Sequence, residues 1–389
     1  MRLRTSQSCY TILTMAAGTA PPRKHRQVFL ALQRDIQSGR LRKGDRLPSE
    51  AELVKSFGAS RITVGRAVRD LQRAGLVERR AGSGTYVRAA RSAREGLSFG
   101  LLIPDLGATE IFEPICRGMM ESPLAREHAL VWGSLTGAGD SREERAWHLC
   151  HQYIDRKVSG VFFAPLELSP EKDAINRRIA EALDEARIPV VLLDRTVLPY
   201  PQRGHHDLVG IDNRRAGFLV TAHLLGLGAR RVGFVAMPLA AATVEAREAG
   251  YREALYGADA PVERALAGRL DPADAAAVGA FLAAARPDAI LCANDRTAAR
   301  LMHTLLALGR TIPEDIRLAG IDDLEYASLL PVPLTTLRQP THAIGAAALA
   351  AMLDRVTRGE LPTRDILLHG ELVVRESCGS GTLKGRSAK

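Results

Sequence analysis

Near the start of the chain, apolar residues recur at helical spacing in three short stretches. The first covers residues 25–38 and stops at Gly39; its apolar positions are Val28, Phe29, Leu32 and Ile36. The second opens at Ser49, where Glu52 three residues later predicts a capping box, and stops at Gly58. The third follows Ser60 and stops at Gly75, and its buried face is predicted to contain Ile62, Val64, Ala67, Val68 and Leu71. Three short helices are therefore expected.

A β-hairpin is predicted directly after the third helix. Residues 76–80 (LVERR) and 85–87 (TYV) flank a tight turn of sequence AGSG. Three helices and a basic hairpin together predict a winged helix-turn-helix, whose third helix enters the major groove of DNA while the wing touches the backbone or minor groove. In the wing, Gly82 and Gly84 would allow a close approach to the phosphates. The alternative interpretation is a small helical domain with solvated arginines.

Beyond residue 96, short apolar runs alternate with amphipathic helical stretches. The eight runs are SFGLLIP, HALVWGS, VSGVFFAP, PVVLLD, LVGID, RVGFVA, DAILCA and IRLAGID. Such runs are typical of strands in a parallel sheet, and the helices between them include 142–157, 172–187, 214–227, 273–285 and 296–308. Two doubly wound lobes accommodate these strands better than one wide sheet, and a ligand cleft is expected between the lobes at the strand ends.

Polar and charged residues cluster in the predicted loops that follow these strands. They are Asp194-Arg195, Arg247, Asn294-Asp295 and Asp322-Asp323. A sugar hydroxyl both donates and accepts hydrogen bonds, so carboxylate, amide and guanidinium groups suit it as partners. Taken singly, each residue could equally be a turn, a helix cap or a surface ion pair. Their repeated position after apolar strands favours a shared sugar site.

The charge is distributed unevenly along the chain. The net charge is +9, but residues 1–96 hold 20 Lys and Arg against 7 Asp and Glu, so that segment carries +13 and the remainder −4. Only the head is therefore expected to bind a polyanion such as double-stranded DNA. Five widely spaced cysteines without a CxxC pair fit reduced thiols in a cytoplasmic protein. No stretch approaches the roughly 18 apolar residues of a membrane helix, so no membrane partner is expected.

Residues 24–88 resemble the DNA-binding domain of the GntR family of bacterial regulators. The resemblance rests on LPSEAEL, ASRITVGRAVRDLQRAGLV and GSGTYV. It implies DNA contacts from Ser60, Arg61, Thr63 and Arg66. The family usually has Arg at the position of Gly65, so this chain departs from the pattern there.

Residues 97–378 resemble the ligand-binding domain of lac-repressor-type regulators and periplasmic sugar-binding proteins. The motifs include GLLIPD, IPVVLLDR, VGIDNRRAG, AILCANDRTA and IPEDIRLAGIDD. The resemblance implies a type I periplasmic-binding-protein fold. It also implies effector contacts at Asp194, Arg195, Arg247, Asn294, Asp322 and Gln339. Phe112 is implied as well, because residues 111–112 stand where the family often has paired aromatics against the sugar ring.

These patterns predict an α/β protein in five parts. Residues 1–23 are expected to be disordered or to result from a mis-assigned start codon. They are followed by the head at 24–88, a linker at 89–96, a sensing and dimerisation body at 97–378 and a flexible tail at 379–389. A GntR-type head on such a body is similar to the arabinose-responsive repressors. The predicted function is that of a homodimeric transcriptional repressor controlled by a small-molecule effector. A sugar is the favoured class of effector.

Other functions remain open at this point. A sugar-responsive activator has the same sequence features, and a sugar-binding protein for uptake would share the body but not the basic head. An enzyme is disfavoured, because no GxSxG, Walker, GxGxxG or zinc signature is present. No cofactor and no metal site are predicted, since the pairs His148/His151 and His205/His206 lack a convincing four-ligand spacing.

Overall fold

The computed structural model describes residues 24–37, 40–41, 44–73, 76–80, 83–87, 96–103, 110–133, 141–358 and 361–380. The chain separates into two compact units between Glu95 and Gly96, and each unit is described by itself. The predicted start segment (1–23), linker residues 89–95 and tail residues 381–389 lie outside the described residues. No helix within the described ranges is both long and apolar enough to span a membrane.

The head contains the three predicted helices and the hairpin. Their bounds are α1 Lys24–Gln37, α2 Glu50–Phe57, α3 Arg61–Arg73, β1 Val77–Arg80 and β2 Gly84–Val87. The capping box predicted at Ser49 and Glu52 is present, and Gly58 ends α2 in the left-handed conformation. β1 and β2 pair antiparallel, so the winged helix-turn-helix is confirmed.

One side chain of α3 does not lie where its apolar character predicted. Val64, Ala67, Val68 and Leu71 pack in the core of the head as expected. Ile62, however, is 82% exposed. It is the second residue of α3, and at 100° per residue it lies away from the stripe formed by the other four. The prediction that Ile62 is buried is therefore wrong.

The body consists of two α/β lobes, each built on a six-stranded sheet. The strand orders are β13-β7-β6-β5-β3-β4 in the first lobe and β14-β12-β11-β10-β8-β9 in the second. The strands are β3 Ser98–Leu102, β4 Ala129–Val131, β5 Gly160–Phe163, β6 Val190–Leu193, β7 Asp207–Ile211, β8 Val232–Ala236, β9 Ala267–Arg269, β10 Ala289–Cys292, β11 Arg317–Asp322, β12 Thr335–Arg338, β13 Asp365–Leu368 and β14 Glu371–Val373. The helices are α4 Phe112–Glu121, α5 Arg142–Asp155, α6 Lys172–Glu185, α7 Asn213–Gly226, α8 Ala242–Gly257, α9 Ala275–Ala285, α10 Asp295–Ala307 and α11 Thr341–Arg358.

The predicted doubly wound parallel sheets are confirmed, with one difference at an edge. β14 pairs antiparallel to β12, whereas the other body strands pair in parallel. The eight predicted runs are β3–β8, β10 and β11. Four strands were not predicted: β9, β12, β13 and β14 are only three or four residues long, and most carry polar residues. Three of them lie at the edges of the sheets, where burial imposes little pattern.

The chain passes between the two lobes three times, after β7, β12 and β13. In the second lobe the first helix after a crossing, α7, packs closely on α8. A Cβ atom built on Gly217 would lie 1.9 Å from the carbonyl oxygen of Arg247, and one on Gly250 would lie 1.8 Å from that of Arg214. In the first lobe, α4 and α11 make the same kind of contact through Gly118 and Gly345. Backbone contact thus replaces side-chain packing where α7 meets α8 and where α4 meets α11.

We predict that Gly250→Ala destabilises the body by about 3 kcal/mol, because the added methyl group must push two helix backbones apart. Gly257→Ala is the matched control on the same helix, since a Cβ there meets nothing within 4 Å. Urea unfolding of the two variants measures the difference. Equal stability of Gly250→Ala and the parent protein would show that α7 and α8 do not touch as described.

Candidate DNA-binding surface and effector cleft

The start of α3 brings three of the predicted DNA-binding residues together. The backbone N–H of Thr63 donates to Ser60 Oγ at 3.2 Å, and the two hydroxyl oxygens are 2.8 Å apart. Ser60 is therefore the N-cap of α3, as the sequence predicted. The side chain of Arg61 is 84% exposed, and its nearest acidic group, Glu50, is 3.8 Å away. The helix start thus presents a hydroxyl pair and a weakly paired guanidinium to solvent.

Two further predicted residues of the head are described. Arg66 is exposed one turn beyond Ile62 on α3. Gly84 has a φ of +123°, and a Cβ there would lie 2.7 Å from Arg46 Nε, so it also has a structural role in the wing. The close approach of Arg46 to Gly84 was not predicted, because Arg46 precedes α2 in an irregular stretch. Gly82 lies outside the described residues.

In the body, Arg247 is the centre of a buried polar network at the end of the second sheet. It lies inside α8, so the prediction that it belongs to a loop after a strand is wrong. Its Nε donates to Asn213 Oδ1 at 2.8 Å, and its Nη1 donates to the carbonyl oxygen of Ala293 at 2.6 Å. Its Nη2 lies 3.5 Å from Asp322 Oδ1. Each arm of the guanidinium therefore faces a partner from a different element, which fixes the side chain in place.

A second network lies at the end of the first sheet, directly after β6. Arg195 Nη1 is 2.7 Å from Glu167 Oε1, and Arg195 Nε donates to Asp194 Oδ2 at 3.2 Å. The guanidinium carbon also lies 5.5 Å from the ring centroid of Phe112, the buried first residue of α4. The structure thus brings Phe112, Asp194 and Arg195 together.

Glu167 links the two lobes and was not predicted. Its Oε2 accepts a hydrogen bond from the backbone N–H of Ala241 in the second lobe at 3.3 Å, and Leu168 N–H donates to Leu239 O at 2.9 Å. Burial works to raise the pKa of Glu167, but Arg195, the N–H of Ala241 and the charge of Arg247 together hold that pKa below its usual value. The lobes are therefore in contact at this edge of the cleft. A single carboxylate in an irregular loop carries no sequence signal for such a contact.

Asp322 and Gln339 meet at two of the strand ends of the second lobe. Gln339 Nε2 donates to Asp322 Oδ1 at 2.8 Å. Asp322 has a φ of +132° and Asp194 a φ of +67°, conformations that cost energy in residues other than glycine and that cluster at ligand sites. Two buried acceptors, Asp194 Oδ1 and Gln339 Oε1, have no hydrogen-bond partner among the described residues.

Burial controls the protonation of Asp322. It raises the pKa of this carboxyl to about 7, against the opposing effect of Arg247. Asp295 is also buried, and its pKa rises to about 6. Asp295 is held within the lobe by Thr336 Oγ1 at 2.6 Å and by the N–H of Leu324 at 3.0 Å. Asp295 thus supports the loop that carries Asp322.

The predicted contact residue Asn294 has a structural function in this network. It is the N-cap of α10, with its Oδ1 accepting from Thr297 N–H at 2.8 Å. Its Nδ2 group and the second lone pair of Oδ1 are left to meet an effector. Asp323, next to Asp322, bonds outward to Arg338 and Arg375 at 2.6 Å each and so secures the sheet edge.

The histidine pair of the first lobe is joined by a residue that the sequence did not single out. His205 Nε2 and His206 Nε2 lie 2.9 Å and 3.0 Å from the two oxygens of Asp184 on α6. One possible metal-ligand atom from each of Asp184, His205 and His206 lies within 4.8 Å of the other two. These hydrogen bonds account for the cluster by tying the loop before β7 to α6. The absence of a metal site stays a prediction.

Two family models match the chain. The model for bacterial regulatory proteins of the gntR family matches residues 24–87, and the model for the periplasmic binding protein-like domain matches residues 221–378. This chain joins a gntR-family head to a periplasmic-binding-protein-like body. The first match covers the described helices and wing, and the second covers most of the lobe that contains Arg247, Asp322 and Gln339.

Two relatives of this chain are named as transcriptional repressors. The arabinose metabolism transcriptional repressor of Geobacillus stearothermophilus is 26% identical over 367 residues, which is 90% of this chain and 97% of that protein. The repressor PurR of Vibrio vulnificus is 31% identical over 229 residues, 57% of this chain and 65% of that protein. The predictions of a transcriptional repressor under effector control, and of a protein that is not an enzyme, are confirmed by these likenesses.

Solved structures of regulators share the fold. A complex of the transcriptional regulator CelR with cellobiose superposes with a TM-score of 0.61 at 26% identity, covering 82% of this chain and 90% of that one. The regulator GntR of Chromobacterium violaceum gives a TM-score of 0.57 at 28% identity, covering 72% of this chain and 99% of that one. The predicted fold class is thus confirmed.

The raised pKa of Asp322 predicts how pH affects the stability of the ligand-free regulator. Between the unfolded pKa of 3.8 and the folded value of about 7, the folded state holds a proton that the unfolded state releases, so stability is lost as pH rises through this window. Asp322→Asn cannot ionise. Between pH 5 and pH 8, we expect the unfolding free energy of the parent protein to fall by roughly 2–3 kcal/mol more than that of Asp322→Asn.

Urea unfolding at both pH values tests this, with the exposed Glu314→Gln as control. A constant difference between Asp322→Asn and the parent protein at both pH values would contradict the burial described here.

Proposed function

We propose that this repressor is a cytoplasmic homodimer that binds operator DNA through α3 and the wing, and that it is released when a small sugar binds between the two lobes. The observation that supports the sugar most strongly is the pair of unpartnered buried acceptors, Asp194 Oδ1 and Gln339 Oε1. Buried acceptors without partners are costly, so a ligand that donates hydrogen bonds to them gains affinity. Hydroxyl groups are the donors that a sugar supplies in number.

The remaining cleft residues suit the same ligand. Arg247 and Arg195 supply donors to ring and hydroxyl oxygens, Asn294 supplies its Nδ2 group, and Asp322 supplies a carboxylate acceptor. Phe112 contributes an apolar surface beneath Arg195. A small solvent-open cavity of about 70 Å³ borders Arg195 and extends to Asn176 and Glu245.

The sugar class is supported by the relatives. The arabinose metabolism repressor aligns with nearly the whole chain, and CelR is described with cellobiose bound. In this chain the cleft groups already contact one another across a closed edge, through Glu167, which favours a compact ligand over an extended one. We therefore propose a monosaccharide, with L-arabinose the first candidate.

Control of DNA binding then follows from differential affinity. The sugar contacts both lobes and so stabilises the closed body, and it can release DNA only if the closed body disfavours the DNA-bound arrangement of the heads. A homodimer places two heads on two half-sites, so the operator should be approximately palindromic. Residues 89–96 join head to body and are the proposed transmission segment.

The effector class can be tested by thermal shift of the purified full-length protein against pentoses, hexoses, disaccharides, sugar acids and sugar phosphates. A ligand that binds only the native state raises the melting temperature. We expect a concentration-dependent rise with one monosaccharide class. A response to disaccharides alone, or to none of these compounds, would contradict the proposal.

The division of labour between head and body can be tested with two variants. Arg61→Ala should weaken binding to an operator duplex, obtained by selection from random sequences, by about tenfold or more, and leave sugar affinity unchanged. Arg247→Lys keeps the charge but cannot reach Asn213, Ala293 and Asp322 together, so it should lose sugar affinity by a similar factor and keep operator binding. Fluorescence anisotropy and calorimetry measure the two affinities. If each variant impaired both affinities equally, the proposed roles would be wrong.

A further inference from the structure

Gly65 has no structural reason to be glycine. It is the fifth residue of α3, and a Cβ atom built on it meets nothing within 4 Å. Its backbone is not in the left-handed region, unlike that of Gly58 or Gly84. Glycine inside a helix destabilises the helix relative to alanine, because the unfolded chain loses more conformational freedom. The fold of the head therefore accepts a cost at this position without a gain in packing.

Ile62 stands one helical turn before Gly65 on the same side of α3. Residues three apart on a helix are neighbours, and Ile62 is 82% exposed while Val64, Ala67 and Val68 face the core. Arg61 and Arg66 are exposed beside it. The outward side of α3 thus bears one bulky apolar side chain next to a bare stretch of backbone, with a guanidinium group on either side.

We propose that Ile62 and Gly65 together recognise a thymine in each operator half-site. In the major groove thymine alone among the four DNA bases presents a methyl group, and an apolar side chain is its natural partner. The absence of a side chain at Gly65 lets the helix backbone lie close enough for Ile62 to reach that methyl. This inference rests on the proposed role of α3 as the DNA-contacting helix, and it adds a specificity residue to the phosphate and polar contacts.

The first test removes the methyl group from the DNA. Operator duplexes are selected from random sequences with the full-length protein, and each thymine is then replaced singly by deoxyuridine. We expect one position in each half-site where the replacement weakens binding about fourfold, the effect of removing one buried methyl group. In Ile62→Ala the same replacement should have no effect. If no thymine behaves in this way, or if Ile62→Ala shows the same loss, the proposal is overturned.

The second test separates helix stability from DNA recognition. Gly65→Ala should slow hydrogen exchange of the α3 amides on the order of fivefold, because alanine favours the helix, and yet weaken operator binding on the order of tenfold. Gly279→Ala is the matched control, since Gly279 lies inside α9 with nothing within 4 Å of its Cβ position. It should slow exchange in α9 similarly and leave operator binding unchanged.

The outcomes distinguish this inference from the proposed function. If Gly65→Ala binds the operator as well as the parent protein while Arg61→Ala does not, α3 contacts DNA but Gly65 is not needed for recognition. If Arg61→Ala, Ile62→Ala and Gly65→Ala all bind like the parent protein, α3 is not the DNA-contacting helix and both proposals fail.

Discussion

The buried guanidinium of Arg247 must be fully partnered, and much of the cleft is arranged around that requirement. A charge removed from water is tolerated only when hydrogen bonds and an opposite charge replace the solvent. Its partners come from the start of α7, the loop after β10 and the end of β11. Those three points are therefore held at fixed distances from α8, and the close packing of α7 on α8 through two glycines keeps the helix in reach. The polar groups of this wall are thus held in place by contacts within the protein.

The first lobe meets this wall with a complementary but incomplete set of groups. Asp194, Arg195 and Glu167 satisfy most of one another's hydrogen bonds, and Glu167 reaches the backbone of the second lobe. Among the described residues, one acceptor on each side of the cleft remains without a hydrogen bond: Asp194 Oδ1 in the first lobe and Gln339 Oε1 in the second. An effector rich in hydroxyl donors would relieve both deficits at once and join the lobes. The same polar network that stabilises the body thus provides the proposed site for sensing.

Sequence reasoning predicted the elements with strong periodicity and the residues that follow them. The helices of the head, the long buried strands and the polar groups after β6 and β11 were all predictable, because burial imposes a pattern on them. Glu167 and Asn213 were not, since their partners lie on distant segments that only folding brings together. Short edge strands such as β13 escaped for lack of a buried face. Ile62 was misplaced because its apolar character was assigned to the core. The N-cap role of Asn294 was not predicted, because a helix cap and a ligand contact have the same sequence signature, and its effector contact stays a prediction.

Unpartnered acceptors in the cleft are proposed to select a ligand by its hydroxyl groups. The most direct measurement is calorimetric binding of the sugar that the thermal-shift screen identifies, compared with its monodeoxy analogues, in the parent protein and in Asp194→Asn. Removing one particular hydroxyl should cost the parent protein on the order of tenfold to a hundredfold in affinity, and should cost Asp194→Asn much less. Equal losses in the two proteins for every analogue, or no loss for any analogue, would contradict this mode of selection.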